Sequence, residues 1–307
     1  MDPKPRLRTG ERSSRLDPKP TDDPSMTQTA LSTLAIPAPG NVRLHCLEWS
    51  PAGSRDGDDA PIVLLHGGGA NAHWWDHLID GLPGSGPRYA LDFRGHGDSD
   101  FPEQRKIGAF NVDLEAMLAW LGRDDVHLIG HSLGAAVAFD HVSRFPSTRS
   151  AVLIDLARGG ERGSGRRARL ALALRRTYAS RDEAIDRFRF LPESSHAEDA
   201  LRRAIATHSV REEPDGRFGY KFDPAWFGLP ARPRPDPKDV TCPVLLVRGE
   251  ESRLLSEEAA REFVAALPDG ELAVVPDAGH HVAVDRPNVL LERVRDFAAR
   301  VHARSKA

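Results

Sequence analysis

The chain has 307 residues, 40% hydrophobic and 28% charged, with a formal net charge of −3. That length holds one sizeable α/β core with an insertion, or two small domains. The near-neutral charge gives no electrostatic case for nucleic acid or acidic lipid as a partner, and no run is apolar for long enough to span a bilayer.

Residues 1–26 are rich in Pro, Asp, Lys and Arg, lack the apolar centre of a secretory signal, and read as a disordered tail, with Met26 an alternative start. Ordered patterning follows. Val42, Leu44 and Cys46 alternate as one face of a strand. Residues 61–65 form a short continuous apolar run, the pattern of a strand buried on both faces, and residues 89–91 form another. Ile107, Phe110, Leu114, Met117, Leu118 and Leu121 recur at helical spacing. Residues 126–129, 151–154, 244–247 and 272–275 read as further strands, and residues 289–301 as a closing helix. Such alternation predicts an α/β fold: a mostly parallel central sheet with helices on both faces. Cys46 and Cys242 fall in or beside strands, so they read as small buried hydrophobes, compatible with a reducing, cytoplasmic setting.

The core is expected over residues 27–156 and 239–307. Between these parts, residues 157–238 break the alternation. They hold an arginine-rich helical stretch over 166–176, the aromatics Phe188, Phe190, Phe218, Tyr220, Phe222, Trp226 and Phe227, and a proline-rich connector over 230–235. A long insertion at the functional edge of a sheet is most simply a helical lid. Its arginines read as a solvated helix face, with steering of an anionic substrate as the alternative. Its aromatics read as lid core, some of them lining a pocket.

Chemistry concentrates at Gly130-His131-Ser132-Leu133-Gly134, which follows an apolar strand and precedes a small-residue helix start. Gly130 and Gly134 carry no side chains to collide where the backbone crosses itself. The turn therefore closes and leaves the Ser132 hydroxyl at the carboxyl end of the sheet. His127 and His131 have a metal-like spacing, but they straddle strand and turn and lack the glutamate of a His-Glu-x-x-His zinc site. No metal and no phosphate-binding loop is implied.

Four motifs, in this order, resemble the α/β-hydrolase superfamily. They are His66-Gly67-Gly68-Gly69, the run from Asp92 to Ser99 (D-x-R-G-x-G-x-S), the turn at Ser132, and Gly279-His280-His281 before the final helix. The resemblance spans the chain from about residue 34 onward. It implies a cofactor-free serine hydrolase with Ser132 as nucleophile and His280 as base, His281 being the alternative. It further implies the amides of Leu133 and Gly68 as oxyanion donors. His66 reads as a loop brace, and the segment from Asp92 to Ser99 as support beneath the site.

The family's usual acid is missing. Ser252 stands where most relatives carry Asp, within Arg248-Gly249-Glu250-Glu251-Ser252-Arg253. A serine cannot stabilise an imidazolium, and a wrong partner for the base can cost about 10,000-fold. Asp155, at the end of the strand over 151–154, is the expected acid, with Glu250 and Glu251 as rivals. This resembles the esterase-like subset whose acid follows the sixth strand, while the serine after the seventh helps hold it. The expected reaction is hydrolysis of a carboxylic ester of a small, partly apolar substrate, with thioester, lactone, amide and carbon–carbon bonds left open. A non-catalytic ligand-binding protein on the same fold is the competing class. A monomer or homodimer with no partner beyond its small-molecule substrate is expected.

Overall fold

In the computed structural model, which describes residues 30–50, 60–161, 163–193, 196–230 and 233–305, the apolar runs become the inner strands of an eight-stranded sheet. The expected tail over 1–26 lies outside the described residues. Strands β1 (Ala30–Ala38) and β2 (Val42–Ser50) form an antiparallel hairpin whose turn uses positive φ at Gly40 and Asn41. Then come β3 (Ile62–Leu65), a 3-10 helix (Ala72–Gly81), β4 (Arg88–Leu91), α1 (Ala109–Leu121), β5 (His127–His131), α2 (Leu133–Val142) and β6 (Ser150–Ile154).

The insertion follows: α3 (Ser164–Leu172), β7 (Thr177–Tyr178), α4 (Arg181–Asp186), α5 (Asp199–Ser209), β8 (Val210–Glu212) and β9 (Phe218–Tyr220). The chain returns to the core through β10 (Val244–Gly249), α6 (Glu257–Ala266), β11 (Gly270–Val275), α7 (Val282–Asp285) and α8 (Pro287–Ser305). The main sheet runs β1-β2-β4-β3-β5-β6-β10-β11. Only β1 with β2 and β2 with β4 pair antiparallel; every other pairing is parallel.

The continuous apolar runs explain the layering, because successive residues feed opposite faces. Val63, Leu65, Leu128 and Leu153 pack with Leu114, Met117, Phe139 and Phe263 on one side. Ile62, Leu64, Ile129 and Val152 pack with Trp75, Leu78, Leu290 and Phe297 on the other. Cys46 and Cys242 are free and buried.

Three features depart from expectation. The edge strand β1 was not expected: only its second half alternates, with Leu34, Ile36 and Ala38 turned to the core and residues 31–33 exposed. Ile107 leaves the expected helical stripe: Gly108, at φ +83°, precedes the first turn of α1, and Ile107 is exposed. The insertion is not purely helical, since β7, β9 and β8 form a small antiparallel sheet. Its own core gathers Ile185, Phe188, Phe190, Ile205 and Val210, as expected for part of the aromatic set. Main-chain bonds tie the insertion to the core: Gly97 N–H donates to Lys221 O at 2.7 Å and Asp223 N–H to Gly95 O at 2.8 Å.

Candidate active site

Strand β5 ends in the turn that carries Ser132 at φ +52° and ψ −106°, a conformation that persists only when its surroundings hold it. Close packing supplies the hold. A Cβ on Gly130 would lie 2.4 Å from Gly134 O, and one on Gly134 would lie 2.1 Å from Leu65 O. Ser132 N–H donates to Ile154 O at 2.9 Å, so the turn is also tied to the end of β6.

One residue beyond β6 stands Asp155, fully buried and at φ +47°. Its carboxylate accepts three hydrogen bonds: from His280 Nδ1–H at 2.7 Å, from Ser252 Oγ–H at 2.7 Å and from Gly249 N–H at 3.1 Å. Ser252 Oγ in turn accepts from the amides of Leu254 and Leu255, each at 3.2 Å. The serine is thereby fixed with its single proton aimed at the carboxylate. On the far side of the ring, His280 Nε2 accepts from Ser132 Oγ–H at 2.9 Å. Ser132, His280 and Asp155 therefore form one continuous hydrogen-bonded chain, and Ser252 braces its buried end.

The rival acids stand apart. Glu251 pairs with His196 at 3.0 Å, and Glu250 is exposed. His281 also turns away: its Nε2–H donates to Pro192 O at 2.9 Å, and its ring packs near Trp74 and Phe190. His131 Nε2–H donates to His280 O at 2.9 Å, which anchors the main chain of the base. Burial first, then the neighbouring His280, pushes His131 down to about 3 and His281 well below the usual histidine range. Both rings are neutral at ordinary pH, so they add no charge beside His280.

The loop after β3 carries Gly68, and α2 opens on Leu133. Neither amide has an intramolecular acceptor among the described residues, and both residues line the cavity reached by Ser132. A Cβ on Gly68 would lie 2.7 Å from the Phe227 ring, so the insertion rests on this loop. His66 braces the loop as expected, with Nδ1–H donating to Gly67 O at 2.7 Å and Nε2 accepting from Phe93 N–H at 3.1 Å. Asp92 supports it from below through the amides of Ala72 at 2.6 Å and Asp98 at 2.9 Å and His45 at 2.7 Å.

Two groups bring three possible metal-ligating atoms within 4.8 Å of one another: His73, Asp76 and His208, and His45, Asp92 and Asp98. Neither includes a residue of the Ser132 chain. His127 bonds Ser150 Oγ rather than joining His131 in a shared site. The spacing of motifs gave no sign of Asp285, whose carboxylate accepts from Gly279 N–H at 2.8 Å and steadies the loop presenting His280. An acid six residues after the glycine was the only available signal.

The cavity over Ser132 has a volume of about 870 Å³, within the range of roughly 300–1,000 Å³ usual for small-molecule sites. Phe110, Val137, Leu156, Trp226 and Phe227 give it apolar walls. No helix among the described residues is long and apolar enough to cross a membrane.

Residues 62–293 match the family described as the alpha/beta hydrolase family. The chain is 30% identical over 255 residues to the 2-(acetamidomethylene)succinate hydrolase of Mesorhizobium japonicum, covering 79% of this chain and 90% of that protein. It is also 30% identical over 257 residues to an esterase of Mycobacterium tuberculosis, covering 78% of this chain and 84% of the relative. A solved E-2-(acetamidomethylene)succinate hydrolase superposes with a TM-score of 0.75 at 26% identity, over 88% of this chain and all of the other.

Proposed function

The chain belongs to the alpha/beta hydrolase family, and from that premise we propose that it is a serine hydrolase cleaving a carboxylic ester through an acyl-enzyme. The observation that carries this reading is the unbroken Ser132–His280–Asp155 hydrogen-bond chain opening onto a mainly apolar cavity. The relatives named as a hydrolase and an esterase support it.

In this reading Ser132 Oγ attacks the ester carbonyl carbon while His280 Nε2 takes the hydroxyl proton. The carbonyl π bond opens to an oxyanion, which the amides of Gly68 and Leu133 stabilise; losing one such donor costs about 100- to 1,000-fold. The carbonyl re-forms, the carbon–oxygen bond to the alcohol breaks, and His280 returns its proton to the leaving oxygen. Water then attacks the acyl-enzyme with His280 again as base, releasing the acid and restoring Ser132. Asp155 holds the imidazole in the tautomer that accepts at Nε2, and it balances the transient imidazolium. The insertion acts as a lid that keeps this charge separation out of bulk water.

A fluorophosphonate probe tests the reading. Stoichiometric labelling that disappears in Ser132→Ala, together with hydrolysis of 4-nitrophenyl hexanoate by the wild type, is expected. A folded protein that does neither overturns the reading and favours the non-catalytic class on this fold.

A further inference from the structure

The cavity has a charged side that ester hydrolysis does not require. Five cationic side chains line it, Lys106, Arg158, Arg166, Arg169 and Arg234, against two carboxylates, Asp140 and Glu161. Both carboxylates are already engaged. Asp140 accepts from Asn111 at 2.8 Å and pairs with Arg144 at 2.8 Å, and Glu161 faces Arg253 at 3.8 Å and Arg167 at 4.0 Å. Arg169 is spent on the insertion, donating to the carbonyls of Phe227 and Leu229.

Arg158 and Arg234 differ. Like Lys106 and Arg166, neither has a carboxylate partner among the described residues, and what sets these two apart is that they come from segments that meet. Their placement brings the two cations together: Arg234 Nη2 donates to Ala157 O at 2.5 Å, the carbonyl immediately before Arg158. Burial, and then the charge of Arg158, lower the Arg234 guanidinium from its ordinary value. Two like charges beside one apolar cavity repel each other, and an anion between them removes that cost.

The backbone beneath Arg158 is fixed. Its N–H donates to Leu254 O at 2.8 Å, and its carbonyl accepts from Ser256 N–H at 3.2 Å. This pairing joins the loop after β6, which holds Asp155, to the loop after β10, which holds Ser252. A Cβ on Gly160 would lie 2.4 Å from Arg253 O, so the two loops pack too closely to slide. The same junction thus positions Asp155 and, three residues on, Arg158, a residue of the cavity wall whose guanidinium carbon lies over the Phe263 ring, 5.4 Å from its centroid. A planar guanidinium presents paired N–H donors that match a carboxylate. Leu156 and Leu254 supply apolar wall in the same cavity, suited to a short aliphatic spacer.

We propose that Arg158 and Arg234 form an anion subsite in the cavity, and that the substrate is an ester bearing a carboxylate separated from the scissile carbonyl by an aliphatic spacer. This rests on the serine-hydrolase reading. It goes beyond that reading by fixing the charge of the substrate.

The test compares kcat/KM for mono-4-nitrophenyl adipate with that for 4-nitrophenyl hexanoate, and for mono-4-nitrophenyl suberate with 4-nitrophenyl octanoate, alongside fluorophosphonate labelling. In the wild type the anionic member of at least one pair is favoured by about tenfold or more, the scale of a charge-assisted hydrogen bond. In Arg158→Gln/Arg234→Gln the ratio for that pair falls to about one or below, through KM of the anionic ester, while Arg158→Lys keeps part of it. Wild-type ratios at or below one for both pairs, or a ratio that the double variant leaves unchanged, overturn the subsite. If Ser132 is labelled and the neutral esters are cleaved, that result leaves the hydrolase reading standing. If Ser132 is unlabelled and no ester of either kind is cleaved, the hydrolase reading falls, and the subsite falls with it.

Discussion

Asp155 is the single residue on which the proposed chemistry turns. It is fully buried, two of its acceptor bonds come from the end of β10 and the loop after it and the third from the His280 loop, and that third bond fixes the base. An amide of the same shape would keep the packing but present an N–H to His280 or to Ser252, favouring the wrong tautomer. Asp155→Asn is therefore expected to lower kcat on 4-nitrophenyl esters by about 10,000-fold, with an unchanged circular dichroism spectrum. Glu251 is half-exposed and pairs with His196 at 3.0 Å, so Glu251→Gln is expected to stay within about twofold of wild type. Steady-state kinetics on the two purified variants separate the assignments, and near-wild-type turnover by Asp155→Asn removes Asp155 from the triad.

At the level of elements, the site depends on backbones that approach one another more closely than side chains permit. Gly134 shows the limit: its added Cβ would meet Leu65 O at 2.1 Å and Leu65 C at 2.5 Å, main-chain atoms of β3 that have nowhere to go. Gly122, at the end of α1, is the contrast: it sits at φ +65° with nothing within 4 Å of an added Cβ. Gly134→Ala is expected to cost more than about 3 kcal/mol in urea unfolding, and Gly122→Ala about 1 kcal/mol, since only backbone strain opposes it. Equal costs would mean that the main chain of Leu65 moves aside to admit the added methyl. The same contrast explains what was legible in the sequence. Gly130 and Gly134 were readable because a turn this tight admits no side chain there, and the meeting of Asp155, Ser252 and His280 was readable because a histidine in that motif calls for a carboxylate. Strand β1 was not, because it pairs with β2 alone and its alternation is confined to Leu34, Ile36 and Ala38, interrupted by Pro37. The small sheet of β7, β8 and β9 escaped for a related reason: strands of two or three residues are too short to show a period. Arg158 and Arg234, outside the arginine-rich stretch over 166–176, carried no pattern that would place them beside one cavity.

For the whole molecule, the unusual load is neutral histidine held in the interior. Burial pushes His96 and His131 down to about 3 and His141 to about 4, and it also lowers His66. In the unfolded chain these rings titrate near 6.5. Above that pH neither state binds the extra protons, and the full stability is present. As pH falls from about 6.5 toward 3, the unfolded state takes up protons that the folded state refuses, so stability is lost across that window. His96, His131 and His141 each remove on the order of 2 kcal/mol by pH 5, at about 1.4 kcal/mol per unit, against a total that is commonly 5–15 kcal/mol. Asp113 and Asp285, whose carboxyl groups burial raises, offset part of the loss by taking up protons in the folded state. The histidines outnumber them, so the urea midpoint is expected to drop steeply between pH 7.5 and pH 5. His141→Gln deletes one of the refused protons and should make that drop shallower. A midpoint that stays level over this range would mean that the folded protein accepts protons at these rings. His131, which anchors the main chain of His280, would then be charged beside the base, and activity would be lost before the fold.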